Sequence, residues 1–374
     1  MSITARRVAV VTSLAVAVGL FLWWYGNKHD FFDLKIYVSA MRWWQDGHRL
    51  YDYSQPDTVQ GRLYFTYPPF AALLLWPFGL LPLGLTITIF TVGTVVALAV
   101  TTWWLVGRYP WPRWYAFGIA LPLVFAIEPT RETITFGQLN MLLVVLILAD
   151  LLFWKGTRWA GVGIGLAAAI KLVPGIFIVF LLVTRRWRAA AVAAATAAGA
   201  TLLAATVAPR DSWQFWTGSV RSTERVGRTD YTGNQSLLGV LSRLVAPADP
   251  NRAAWLVLAL VIGALGLWRA ARATDPIAAL TLTGLVGALV SPITWPHHLY
   301  WFIPAAIVCV AAHRWWLAVL TGAVATYGVV SFEHWGVAPA PTDTVPEFLG
   351  RNAYVLLSLI LLAALPIYTT TGEK

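Results

Sequence analysis

Charge is scarce in this chain of 374 residues: Asp, Glu, Lys and Arg together make up 12% of it, against 58% hydrophobic residues. A soluble domain so composed would expose more apolar surface than water tolerates, which excludes one and points to a polytopic membrane protein. Cysteine is nearly absent. The one present, Cys309, lies inside an apolar stretch, which excludes an intrachain disulfide, a zinc cluster or an iron–sulfur site built on cysteine. Also missing are a Walker loop, paired dinucleotide glycines, a serine elbow and an HExxH site. Nucleotide-driven chemistry is therefore unsupported, and so is the soluble, metal-binding domain of a sugar-nucleotide transferase. The formal charge of +10 would suit nucleic acid, but no soluble domain presents a basic face, so no nucleic-acid partner is expected.

Aromatic residues are plentiful instead. The 21 tryptophans and 13 tyrosines gather near the ends of apolar stretches, where amphipathic rings favour the headgroup level. Apolar spans fall at about 8–25, 84–106, 113–127, 138–154, 187–207, 253–270, 276–291, 297–311, 315–331 and 352–368, each near the length a bilayer needs. Arg6 and Arg7 precede the first, which has no small-residue cleavage site and reads as an uncleaved signal-anchor with a cytoplasmic N-terminus. Two segments are irregular. Trp159 to Val183 is interrupted by Lys171 and Pro174, and Tyr67 to Pro82 is short and proline-bounded.

The loops permit a test of orientation. Placing Arg6/Arg7, Arg108/Arg113, Lys155/Arg158, Arg185/Arg186/Arg188, Arg269/Arg272, Arg314 and Lys374 inside collects 13 of the 27 basic residues with only Asp150, Asp275 and Glu373 of the 17 acidic ones. The outer face then owns the long loops 26–66 and 208–252, and this parity requires 159–183 to enter and return as two half-helices with Lys171 near the turn. Segment 67–82 either crosses or dips. The expectation is an all-α bundle of about twelve spans forming a single integral-membrane domain over 1–374, with both ends cytoplasmic. Interfacial helices are expected in the first outer loop. No repeat or solenoid period is visible.

The chemistry-bearing residues gather on the outer face. Asp33 sits in FFDLKIYVSA, where apolar positions 32, 36 and 40 suit a short interfacial helix; a solvated helix-start carboxylate is the alternative. Arg131, Glu132, Gln138 and Asn140 lead into an apolar span without a Ser/Thr cap; Gln and Asn there either bind sugar hydroxyls or cap the helix. Lys171 would cost on the order of 2.5–3.5 kcal/mol in mid-membrane and so needs an anion or a cavity, a lipid-linked phosphate above all. Arg221, Arg225 and Arg228 precede Gly233-Asn234-Gln235-Ser236 and either hold an anion or form an exposed basic face. His297 and His298 follow Ser-Pro-Ile-Thr-Trp-Pro, and a neutral imidazole accepts a proton from a sugar hydroxyl. The adjacent pair suits a two-point metal site poorly. Glu333-His334 is a weaker candidate of the same kind.

Taken together, DLKIYVSA, FTYPPFAALLLWPFGLLP at 65–82, FGQLN at 136–140, AAAIKLVP at 167–174, GNQS at 233–236 and SPITWPHH at 291–298 resemble glycosyltransferase family 87 of the multi-pass GT-C superfamily. Within it they are most similar to the PimE-type α-1,2-mannosyltransferases that extend phosphatidylinositol mannosides. The resemblance implies polyprenyl-phosphate-mannose as donor, a glycolipid acceptor, inversion of a β-linked mannose to an α product, a periplasmic active site, and neither cofactor nor metal. Close relatives that branch lipomannan or transfer arabinofuranose are the nearest alternatives. A flippase for lipid-linked saccharide and a polytopic acyltransferase are the rivals from other classes. On this reading His297 takes the proton while Asp33 orients a sugar hydroxyl or the imidazole. Lys171, Arg131 and Arg221 hold the donor phosphate. Gln138, Asn140, Tyr67, Glu132, Asn234 and His298 surround the sugars.

Overall fold

The computed structural model describes residues 2–58, 61–329, 332 and 344–368, and all but one small hairpin of its regular structure is helical. Glu333 and His334 lie outside the described residues. Helix α1 (Ile3–Tyr25) begins where the Ser2 hydroxyl accepts the Ala5 amide and ends at Gly26, whose φ of 67° a residue with a Cβ rarely adopts. The chain then stays at the same end of the bundle, the site end, through α2 (Phe32–Gln45), the antiparallel strands β1 (Ser54–Asp57) and β2 (Gly61–Tyr64), and α3 (Pro69–Gly79). Helices α2 and α3 run side by side in the same sense. Tyr37 Oη donates to Tyr67 Oη at 3.1 Å near their starts, while Arg42 and Gln45 donate to the carbonyls of Gly79, Leu81 and Trp76 near their ends.

Helix α4 (Leu83–Val106) leads to the opposite end, where Arg108 just beyond it donates to Leu152 O at 2.7 Å. Segment 67–82 therefore dips rather than crosses, since α1 finishes and α4 starts at the site end. Helix α5 (Arg113–Ala126) returns along α1, α6 (Glu128–Thr135) lies across the site end, and α7 (Asn140–Leu152) goes back down to the foot.

Next come α8 (Val162–Ile170), α9 (Ile176–Val183) and α10 (Trp187–Val207). Gly161 lies against the Ala189 carbonyl and Gly165 against that of Ala193, so α8 and α10 run in parallel from a common level. Helix α9 ends at that level, where α10 begins. Helices α8 and α9 therefore form a hairpin that enters and turns back, with Lys171 at its turn in extended backbone. The expected pair of half-helices is present, and the nine residues of α8 rise roughly 14 Å, about half a hydrocarbon core. Pro174 follows in a single 3₁₀ turn.

Helices α11 (Pro209–Thr217) and α12 (Leu237–Val245) lie at the site end, after which α13 (Arg252–Arg272), α14 (Pro276–Val290), α15 (Phe302–Ala311) and α16 (Trp315–Tyr327) alternate in direction. Helix α17 (Val345–Arg351) leads at a bend of 74° into α18 (Ala353–Ala364). Arg269 donates to Leu365 O at 2.9 Å, joining the feet of α13 and α18. Both described chain ends lie at the foot. By length and composition four helices, α1, α4, α10 and α13, are long enough to cross a membrane, or five if α17 and α18 count as one. Helix α14 is almost wholly buried and forms the centre of the core.

The hairpin is fixed at its base by a carboxylate. Asp150 accepts the amides of Gly161 at 2.8 Å and Ile164 at 3.0 Å, two of the free N–H groups at the start of α8. Asp150→Ala is expected to destabilise the folded protein by about 1–3 kcal/mol. A lower thermal unfolding midpoint in detergent checks this, and an unaltered midpoint would show that the clamp contributes nothing.

Candidate active site

The site is assembled by backbone hydrogen bonds between elements distant in sequence. The first amides of α2 have no partners within the helix, and the end of α6 supplies them: Phe31 N donates to Thr135 O at 2.7 Å and Leu34 N to Phe136 O at 3.1 Å. Gly137, at φ 70°, makes this approach possible, because a Cβ there would lie 2.6 Å from that of Leu34. Asp33 is thereby set beside Gln138, whose Nε2 donates to Asp33 Oδ2. A second docking places the histidines. Asn234 accepts Thr294 N at 3.0 Å and donates to Pro292 O at 3.2 Å, and Gln235 N donates to Thr294 O at 2.6 Å. The GNQS segment thus holds the turn from which His297 and His298 project.

These elements enclose a cavity of about 550 Å³, lined among others by Asp33, Tyr67, Gln138, Lys171, His297 and His298. Lys171 is the centre of its polar wall. Its ammonium meets Asn140 Oδ1 at 3.1 Å, Tyr67 Oη at 3.3 Å and His298 Nε2 at 2.8 Å, all on neutral groups. Among the described residues no carboxylate forms an ion pair with it. Tyr67 Oη in turn donates to Gln138 Oε1 at 3.1 Å, which links Lys171 to Asp33 through two side chains. Gln138 and Asn140 do not cap α7, whose start has no side-chain cap; their amides go to Asp33, Lys171 and the His297 carbonyl.

The two candidate bases are shifted in opposite directions. Burial pushes the Asp33 carboxyl up to about 6, against the pull of the Gln138 amide and the Lys171 charge. Burial holds His297 well below the ordinary histidine range, with the charges of Lys171 and His29 acting in the same direction. His298 is lowered likewise, by burial and then by Lys171. The His297 ring packs near Phe136 at 5.5 Å between centroids, and its Nδ1 is buried with no partner. Trp295 N lies 3.2 Å from His298 Nδ1; a neutral imidazole accepts at one nitrogen only, and toward the Lys171 ammonium that nitrogen is Nε2.

A further group on the cavity wall was not singled out from the sequence. His29 stacks on Phe136 at 3.9 Å and places Nε2 2.7 Å from Glu132 Oε2, while Tyr25 Oη donates to Glu132 Oε1 at 2.9 Å. Glu132 thus lines the cavity in a fixed pose. His29 was overlooked because a histidine in a polar loop carries no periodic signal; Tyr37 was hidden as one more apolar position of α2. Four of the assigned site residues, Arg131, Asn140, Arg221 and Asn234, do not line the cavity; Asn140 lies behind its wall, on Lys171 and the His297 carbonyl. The Arg131 guanidinium donates to the Ala126 and Thr326 carbonyls and lies over the rings of Phe21 and Tyr25, so it braces helix ends. Asn234 is consumed in holding the histidine turn. Arg221 is exposed, whereas Arg225 of the next 3₁₀ turn reaches the wall.

Residues 65–292 match glycosyltransferase family 87. A polyprenol-phosphate-mannose-dependent alpha-(1-2)-phosphatidylinositol mannoside mannosyltransferase of Mycobacterium tuberculosis is 35% identical over 78% of this chain and 73% of its own length. A polyprenol-phosphate-mannose-dependent alpha-(1-2)-phosphatidylinositol pentamannoside mannosyltransferase of Mycolicibacterium smegmatis is 33% identical over 80% and 74%. An alpha-(1->3)-arabinofuranosyltransferase of Mycobacterium tuberculosis is 30% identical over 67% and 58%. No solved structure matches significantly. The matched stretch holds FTYPPF, FGQLN, the lysine hairpin and GNQS, several of the segments that build the cavity, while Asp33 and the His297–His298 turn lie outside it, and the chain belongs to glycosyltransferase family 87.

Proposed function

We propose that the protein moves mannose from polyprenyl-phosphate-mannose to a mannosylated phosphatidylinositol lipid, with inversion at the anomeric carbon, forming an α-1,2 linkage on the membrane face away from the cytoplasm. The observation that carries this reading is Lys171, a cation at the turn of a half-helix hairpin that faces a cavity and has only neutral partners. An anion at membrane depth is the complement it lacks, and a lipid-linked phosphate brings one there. The mannolipid relatives support mannose as the sugar. The orientation is supported by the basic loops of Arg108, Arg113, Lys155, Arg158 and Arg185, all placed at the foot, opposite the cavity.

In this mechanism the acceptor hydroxyl attacks the anomeric carbon as the bond from that carbon to the phosphate oxygen breaks, and the hydroxyl proton passes to Asp33. Polyprenyl phosphate leaves with its new charge against Lys171. The opposite effects of burial on the two groups support Asp33 over His297 as the base. A carboxyl near 6 is ionised at neutral pH yet more basic than an ordinary one, while His297 loses basicity through burial. Asp33 is assigned the proton, and neutral His297 orients a sugar hydroxyl. Tyr67 and Gln138 hold Lys171 and Asp33 in register.

Purified protein with synthetic polyprenyl-phosphate-[³H]mannose and a phosphatidylinositol mannoside is expected to yield an alkali-stable mannolipid. Asp33→Asn and Lys171→Met should each lower turnover by on the order of a hundredfold or more in protein that remains folded. Transfer only from the arabinofuranosyl donor would overturn the choice of sugar, and no transfer from either donor would overturn the enzyme reading. The pH profile tests the base. With Asp33 as base, kcat/KM falls tenfold per pH unit as the pH drops below about 6. A limb that persists in Asp33→Asn would return the role to His297.

A further inference from the structure

The cavity has a polar annex that the transfer step does not use. Beside its mouth, between β2 and the 3₁₀ turns that follow α11, lies a second hollow of about 630 Å³ lined by Arg62, Tyr64, Gln214, Ser219, Ser222 and Arg225, among others. Tyr64, Ser219, Ser222 and Arg225 line both spaces, so the two are contiguous. The walls of the annex carry hydroxyls, an amide, the guanidinium groups of Arg62 and Arg225 and the carboxylate of Glu224, in contrast to the largely apolar main cavity.

Arg225 is built into the partition. Its Nη2 donates to Tyr51 O at 2.7 Å, and its guanidinium lies over the Tyr64 ring at 4.4 Å. Its Nε is buried without a partner, and among the described residues no carboxylate forms an ion pair with it. Gln214 donates to Asp52 Oδ1 at 2.7 Å but leaves its own buried Oε1 unpartnered. Polar groups left unmatched beside one hollow lose stability that water or a ligand entering it would restore. The ligand they describe is an anion joined to hydroxyl groups.

We propose that the annex is the headgroup subsite of the acceptor: Arg225 binds the acceptor's phosphodiester, and Gln214, Ser219 and Ser222 bind its polyol hydroxyls. The proposal rests on the transferase reading above. The donor phosphate has the same anionic chemistry, but it is a lone group bearing one sugar and a polyprenyl tail. Lys171 meets it at the hairpin turn, among neutral partners and away from the hydroxyl-rich annex. The division lets the enzyme discriminate between acceptors by charge without disturbing the leaving group.

The test compares two acceptors, a phosphatidylinositol mannoside and a neutral alkyl α-mannoside, at saturating donor. Wild type is expected to prefer the anionic acceptor in kcat/KM by about ten- to a hundredfold, as a charge-assisted contact implies. In Arg225→Gln that preference should collapse towards unity, mainly through the acceptor KM. Arg225→Lys should restore part of it, and Arg210→Gln, which removes an exposed charge on α11, should leave it intact. Loss of transfer to both acceptors by the same factor, or a rise in donor KM alone, would overturn the proposal, as would a wild type with no preference. Failure of wild type to use either acceptor would instead sink the transferase reading.

Discussion

An ammonium group at membrane depth that makes no ion pair with a carboxylate among the described residues constrains the rest of the architecture. Isolated on a continuous apolar helix, Lys171 would cost a few kcal/mol, and the chain meets this by never making that helix. Pro174 prevents α8 from continuing, since its ring removes a backbone donor and crowds the preceding turn. The freed backbone lies beside a cavity rather than lipid, the circumstance in which broken helices are tolerated in bilayers. Asn140, Tyr67 and His298 then solvate the cation without neutralising it. A carboxylate partner would make the hairpin more stable and would also quench its attraction for phosphate.

Holding such a turn in place requires rigidity beneath it, and that comes from small residues. Gly161, Gly163 and Gly165 let α8 approach the backbones of α7 and α10 so closely that a methyl group at any of them would overlap a carbonyl. In a bilayer this kind of contact is the main adhesive between helices, because lipid tails are as apolar as leucine. The alanine-rich run of α10 is therefore the matching surface for a half-helix, and Asp150 fixes the level from which both start. The position of Lys171 follows from packing about 14 Å below it.

Much of this was legible in the chain. The class followed from composition, and the hairpin followed from charge parity, because Arg185 and Arg186 could not share a face with Lys155 unless the intervening segment returned. Asp33, Tyr67, Gln138, Lys171, His297 and His298 were identified as motif residues, and the structure gathers them around one cavity. What the sequence could not supply was the partner of each polar group. Arg131 and Asn234 look like ligand-binding residues in a linear reading; in three dimensions helix-end and turn carbonyls satisfy them. The opposite error hid His29 and Tyr37, whose importance comes only from what Phe136 and Tyr67 place beside them. Segment 67–82 was ambiguous for a related reason: eleven apolar residues of α3 are too few to span and too many for a loop, so only the neighbours of its two ends decide its path.

The asymmetry of the polar groups separates a transferase from a transporter on physical grounds. A carrier must expose its site alternately to both faces, so the helix ends at each face must come apart at modest cost. At the foot of this bundle, Tyr109 donates to the buried Asp275 at 2.7 Å, Arg108 holds Leu152 O at 2.7 Å, and Arg269 ties α13 to α18. Opening that end would strand several buried donors and acceptors together. At the site end the equivalent groups converge on one cavity, with the Lys171 cation and the Asp33 carboxylate both on its wall. That arrangement stabilises a charge redistribution, which a reaction needs and a passage does not.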